Sequence, residues 1–377
     1  MKLSSLLLLP ALLRQTLAYT AFSDATLTAL PRPGQDFDIH TGALLAPILR
    51  PRVPGTAGSD AVLQHFVDFF SRELPDWTLS FQNSSSVTPA SGGREVPFRN
   101  LIATRDPPWV HGEGDVGRLA LVAHYDSKLT PAGFIGATDS AAPCAMLLHI
   151  ARSLDPALTK KWTAMSASAE AEPDALDEHT GIQIILLDGE EAFHTWTHTD
   201  SLYGARSLAS EWESTLNPAL STHRTPLASI DLFLLLDLLG AANPSVPSYF
   251  KTTHWAYRLL ASAESRLRSL KILGSEPAHP FLTEAGKGDG DRWVGGFIED
   301  DHVPFMARGV EVLHVIASPF PSVWHTIEDD GAHLDGATVE DWAMIVLAFA
   351  GQWFDLEGWF EGAAGETESG RGARDEL

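Results

Sequence analysis

Four short apolar runs, Leu119–Ala123, Ile182–Leu187, Leu232–Leu236 and Val312–Ile316, constrain the fold of this chain more than any other feature. Each is dominated by Leu, Ile, Val and Ala with almost no polar alternation, as in strands buried on both faces of a parallel sheet. Between and after them, Ala141–Leu154, Leu202–Glu213, His254–Leu270 and Thr338–Trp353 repeat apolar residues at spacings of three and four, the period of an amphipathic helix. Strands alternating with helices predict an α/β protein: a single open, mainly parallel twisted sheet with helices on both faces. Three stretches do not fit this pattern and are expected to be surface loops or disorder. They are Thr159–His179, rich in Ala, Ser, Glu and Asp, Gly286–Gly296, and the acidic tail after Gly362. No Pro/Gly-rich linker divides the middle of the chain, so residues 19–361 are expected to form one domain, with 159–179 as a flexible insertion.

The ends and the charge bound where the protein works and what it meets. Residues 1–18 carry Met1-Lys2, a leucine-rich run from Leu3 to Leu13 and a small-residue finish at Ala18, the pattern of a cleaved signal peptide. That run is shorter than the roughly 20 residues a membrane span requires. Arg374-Asp375-Glu376-Leu377 differs by one residue from a retention address for the endoplasmic reticulum, so the expectation is the secretory pathway, either its lumen or the exterior. Asn83-Ser84-Ser85 is a glycosylation sequon in a polar stretch. With 49 acidic against 26 basic residues the surface repels nucleic acid and anionic membranes, and no span is expected in the mature chain. Cys144 is the only cysteine, which rules out an intrachain disulfide and a sulfur-rich metal site.

Ionisable residues gather at the ends of the apolar runs. His124 follows the first, Glu190 and Glu191 follow the second after two residues, and Asp237 follows the third directly. In an open parallel sheet the carboxyl ends of the strands form the crevice where ligands bind, so these distant positions converge. Taken singly, each has an ordinary explanation. Asp139, in Gly136-Ala137-Thr138-Asp139-Ser140, sits where a helix N-cap belongs; paired glutamates usually face solvent; and His325 beside Trp324 fits a packed core. Together they would carry a large desolvation cost, and a divalent cation is the simplest shared partner that offsets it.

The chain resembles the M28 family of zinc aminopeptidases, and within it the glutaminyl-peptide cyclotransferases, from about Phe98 to Leu356. The resemblance is carried by Ala123-His124-Tyr125-Asp126-Ser127-Lys128, by the Gly136–Met146 block, by Asp188-Gly189-Glu190-Glu191-Ala192-Phe193, and by Asp200-Ser201-Leu202-Tyr203-Gly204. Ile298-Glu299-Asp300-Asp301-His302-Val303-Pro304-Phe305 and the Ser318–Thr326 block complete it. It implies a zinc aminopeptidase-like α/β/α sandwich in which Asp139, Glu191 and His325 hold one Zn2+ with a fourth position open. It further implies that Glu190 is the proton shuttle, that Asp237 and Asp300 hydrogen-bond the reacting amine and each other, and that Trp196, Phe320, Trp324 and His314 form the substrate pocket. The implied substrates are peptides and proteins with an N-terminal glutamine, cyclised to pyroglutamate with loss of ammonia.

Two alternatives stay open at this stage. In the aminopeptidases the positions of His124 and Asp237 bind a second zinc bridged by Asp139, with Asp126 orienting His124, so ligand identity alone does not separate peptidase from cyclase. Trp196, Trp324 and the Asp300-Asp301-His302 segment favour the cyclase, because excluding water suits an internal amine nucleophile. A non-catalytic luminal peptide-binding protein would have no use for an intact Glu190. The chain departs from animal cyclases in one respect: the disulfide they often carry between the positions of Ala123 and Cys144 cannot form, and Cys144 is expected to be a small buried hydrophobe.

Overall fold

A computed structural model of the chain describes residues 19–169, 180–293 and 298–360. The expected signal peptide (residues 1–18), the second part of the expected insertion (170–179), residues 294–297 and the residues from 361 lie outside the described residues. Six strands form one sheet: β1 (Thr78–Val87), β2 (Glu95–Arg105), β3 (Gly117–His124), β4 (Thr180–Leu187), β5 (Ile230–Asp237) and β6 (Val312–Ile316). Their spatial order is β1-β2-β4-β3-β5-β6. The three pairings among β4, β3, β5 and β6 are parallel, and β2 joins β4 and β1 antiparallel, making the sheet mixed with a parallel body.

The continuous apolar runs are explained by which face each residue meets. Leu119, Leu121, Ile182, Ile184, Leu232, Leu234 and Val315 join one core with helices α2 (Ala57–Glu73), α3 (Ala142–Ala169), α5 (His254–Ser269) and α7 (Gly336–Trp353). The alternate residues Ala120, Val122, Ile185, Leu187, Phe233 and Leu235 face α4 (Tyr203–Ser214) and the short α6 (Val303–Met306). With a short N-terminal helix, α1 (Asp24–Ala29), these are the α-helices among the described residues. Both faces are covered, so both sets of side chains leave water. Among the described residues no helix is long and apolar enough to cross a membrane.

Two expectations are corrected. The loop reading of Thr159–His179 fails over its first half, because α3 continues through Ala169. The reason is packing: Leu154, Leu158 and Trp162, spaced by four, stay on one buried stripe, and Met165 extends it. The second correction concerns the start of the domain, where α2 and the β1–β2 hairpin had no sequence assignment. Helix α2 buries Val62, Leu63, Phe66, Phe69 and Phe70, and Thr56 Oγ1 caps it by accepting from the Ser59 N–H at 3.5 Å. Asn83 is exposed on β1, the edge strand of the sheet.

Candidate metal and catalytic site

The parallel strands deliver the site from their carboxyl ends. His124 is the last residue of β3 and Asp237 the last of β5, while Glu190 and Glu191 sit on a turn just beyond β4. That turn needs Gly189: its φ is +80°, and a Cβ there would lie 2.3 Å from the Phe98 ring. Asp126, buried completely, fastens the turn by accepting the N–H groups of Glu190 (3.0 Å) and Glu191 (3.1 Å), one on each carboxylate oxygen. Its Oδ1 also lies 3.3 Å from His124 Nδ1, so a single carboxylate orients residues from two strands.

Asp139 is not an N-cap. It occupies a non-helical kink before α3 (φ −117°, ψ 78°), and its carboxylate turns to two imidazoles, 3.0 Å from His124 Nε2 and 3.5 Å from His325 Nε2. His325 arrives from the loop after β6 with a left-handed backbone, φ +58°, which is uncommon for a non-glycine residue and frequent at functional sites. Its Nε2 lies 3.6 Å from Glu191 Oε2. Asp139, Glu191 and His325 thus place three donor atoms within 4.8 Å of one another, and so, around the same Asp139, do His124, Asp139 and Asp237. Glu191 Oε1 is buried without a hydrogen-bond partner, as a carboxylate built to hold a cation would be. Two oxygens and one nitrogen suit a divalent ion such as zinc.

Burial pushes the Glu190 carboxyl well above its usual range, reinforced by Glu191, Asp300 and Asp301 and opposed by His124. Burial alone would lower the His325 imidazole, but its contacts to Asp139 and Glu191 hold it up at about 9. His124 is likewise raised, by Asp126, Asp139 and Asp237 against its own burial. His314 is the opposite case. Burial drops it to about 4, and its Nε2 lies 2.7 Å from Asp300 Oδ2.

A cavity of about 510 Å³ opens over these groups, with Asp139, Glu190, Glu191, Asp237 and His325 in its lining and Trp196, Ile298, Phe320 and Trp324 as apolar walls. Trp324 stacks on His325 with centroids 3.8 Å apart and meets Phe320 edge-on at 4.8 Å; Trp196 Nε1 donates to Glu299 Oε2 at 3.0 Å. Phe320 also packs on the Leu238–Tyr249–Ile316 cluster, so it serves core and cavity together. Not every candidate reaches the cavity. Asp300, His314, His124 and Asp126 are buried behind its lining, and Asp237 pairs with Ser140 Oγ and the Leu238 N–H while Asp300 pairs with His314.

Sequence reasoning missed two residues here. Lys128, two positions after Asp126, places Nζ 3.1 Å from Glu191 Oε2. Arg52 is fully buried and donates to the carbonyls of Tyr125 (2.5 Å), Ile135 and Gly136 (2.9 Å), tying the segment after β3 to the turn before Asp139. A lone arginine in a proline-bounded segment carries no pattern that would have found it.

Residues 100–350 match Peptidase family M28. The glutaminyl-peptide cyclotransferase of Bos taurus is 39% identical over 322 residues, covering 83% of this chain and 81% of that protein. The Bos taurus glutaminyl-peptide cyclotransferase-like protein is 41% identical over 317 residues, covering 83% and 74%. The crystal structure of Macrostomum lignano glutaminyl cyclase superposes with a TM-score of 0.72 at 31% identity, covering 90% of this chain and 96% of that one. The chain belongs to peptidase family M28 and, within it, to the glutaminyl-peptide cyclotransferases.

Proposed function

We propose that this protein cyclises the N-terminal glutamine of peptides and proteins to pyroglutamate, releasing ammonia. The observation that carries the proposal is the division of labour between adjacent carboxylates. Glu191 belongs to a three-donor group, whereas Glu190 lines the same cavity and belongs to none among the described residues. Asp139, Glu191 and His325 would hold one Zn2+, which when bound supplies Lewis-acid polarisation of a carbonyl.

The chain's own residues supply the rest. Glu190, buried and with a raised affinity for protons, accepts the proton of the α-amine as that nitrogen bonds to the side-chain amide carbon. It then returns the proton to the amide nitrogen, the carbon–nitrogen bond breaks, and ammonia leaves. Asp237, in the cavity lining, would accept from the amine through its second oxygen; Asp300, paired with His314 behind the lining, acts through its charge on Asp237. Trp196, Phe320 and Trp324 enclose the glutamine side chain and keep water from competing with the internal nucleophile.

The aminopeptidase reading rests on the second group, His124, Asp139 and Asp237, which would hold a second ion. Incubating the purified protein with a Gln-initiated peptide and with an aminopeptidase substrate, each with and without chelator, separates the two. Chelator-sensitive ammonia release without peptide cleavage is the outcome proposed here; a freed N-terminal residue would reverse it. The leader at 1–18 and the final tetrapeptide support a secretory setting, in which the exposed Asn83 would carry a glycan.

A further inference from the structure

We propose that Asp329 is a positioning residue for the metal site: it bolts the loop bearing His325 to the turn bearing Asp139, fixing the separation of two donors that come from the segments after β6 and after β3. The inference rests on the reading of Asp139, Glu191 and His325 as the ligands. Asp329 lies four residues after His325 and is 1% exposed. Its Oδ1 accepts the Thr138 N–H at 2.7 Å, and its backbone carbonyl accepts the Ala137 N–H at 3.0 Å. Both bonds land immediately before Asp139, across 191 residues of sequence in the case of the side chain.

The turn so gripped departs from regular helix geometry. Asp139 and Ser140 are non-helical, and Gly136 holds φ +61° where a Cβ would sit 2.1 Å from the Asp139 carbonyl oxygen. Arg52 holds the same turn from its other side through the Ile135 and Gly136 carbonyls. Arginine fixes the carbonyls and Asp329 the N–H groups, so the backbone leading to Asp139 is held on both of its polar sides. Groups that orient ligands in this way typically change metal affinity about 10–100-fold when removed.

The test compares Asp329→Ala, Asp329→Asn and Asp329→Glu with the parent protein. Zinc affinity is read by chelator competition, and the visible spectrum of the cobalt-loaded protein reports ligand geometry. Asp329→Ala is expected to weaken zinc binding about tenfold or more and to alter the cobalt bands, while Asp329→Asn, which keeps the acceptor oxygen, recovers most of the affinity. Should Asp329→Ala fail to fold, Asp329→Glu decides, since it displaces the acceptor by one methylene and should weaken zinc binding with the metal-free protein still folded. Unchanged affinity and spectrum in Asp329→Ala or Asp329→Glu would overturn the inference, as would equal losses in Asp329→Asn and Asp329→Ala. Zinc affinity in the parent that is indifferent to His325→Ala would instead overturn the ligand assignment beneath it.

Discussion

The two donor groups that share Asp139 use the same kinds of side chain, and they differ in what surrounds them. Asp139, Glu191 and His325 open on the cavity, with one Glu191 oxygen unpartnered and about a quarter of the His325 side chain accessible. His124, Asp139 and Asp237 are sealed from it on the imidazole side: His124 is fully buried, and Asp237 Oδ1 already accepts from Ser140 Oγ and the Leu238 N–H. A cation bound through Asp237 Oδ1 would compete with those hydrogen bonds, whereas Glu191 Oε1 in the first group has none to lose. Ligand identity therefore leaves the number of ions open, and the two groups differ in how their oxygens are already engaged.

The comparison can be broken most sharply by removing one donor from each group. His325→Ala or Glu191→Ala should abolish chelator-sensitive turnover of a Gln-initiated peptide, to the limit of detection. His124→Ala should retain measurable turnover, because its buried imidazole braces Asp126, Asp139 and Asp237 from behind the cavity lining; equal loss in both would contradict the distinction. Next in size, Glu190→Gln should lower kcat by about 10²–10⁴ with zinc content unchanged, the range for a general acid–base group. Retained turnover would remove Glu190 from the mechanism.

Smaller effects sharpen the picture of the walls and of the buried imidazoles. Trp324→Ala strips the ring stacked on His325 and should raise KM more than it lowers kcat, by up to about tenfold for the loss of about 0.5–1.5 kcal/mol of aromatic contact. In steady-state kinetics, a kcat effect alone would assign Trp324 to the chemistry instead. His314 and His325 should titrate at opposite extremes. By NMR of the metal-stripped protein, the His314 ring should stay neutral until the pH falls to about 4, and His325 should keep its proton until the pH rises to about 9. A His314 that protonates near its ordinary value would mean that its ring is not shut away from water as described.

The parallel body of the fold was legible because β3 to β6 bury both faces, so their sequences lack polar interruption. The antiparallel edge was not. In β1 only Gln82 is buried, and its Asn83-Ser84-Ser85-Ser86 run resembles a loop because an edge strand has one neighbour and mostly solvent. Helix α3 was cut short for a related reason: Lys160, Lys161, Ser166 and Ser168 obscure a stripe that Trp162 and Met165 continue. At the site, strand-end residues such as His124 and Asp237 could be placed by topology alone. Asp126 as a double acceptor, Lys128 against Glu191, and the grip of Arg52 and Asp329 depend on backbone groups and long-range contacts, which leave no spacing in the sequence.

Elemental analysis of the purified protein and of two variants tests the central claim most directly. The account predicts one zinc per chain, kept in His124→Ala and lost in His325→Ala. Two zincs per chain, or loss in His124→Ala with retention in His325→Ala, would contradict it.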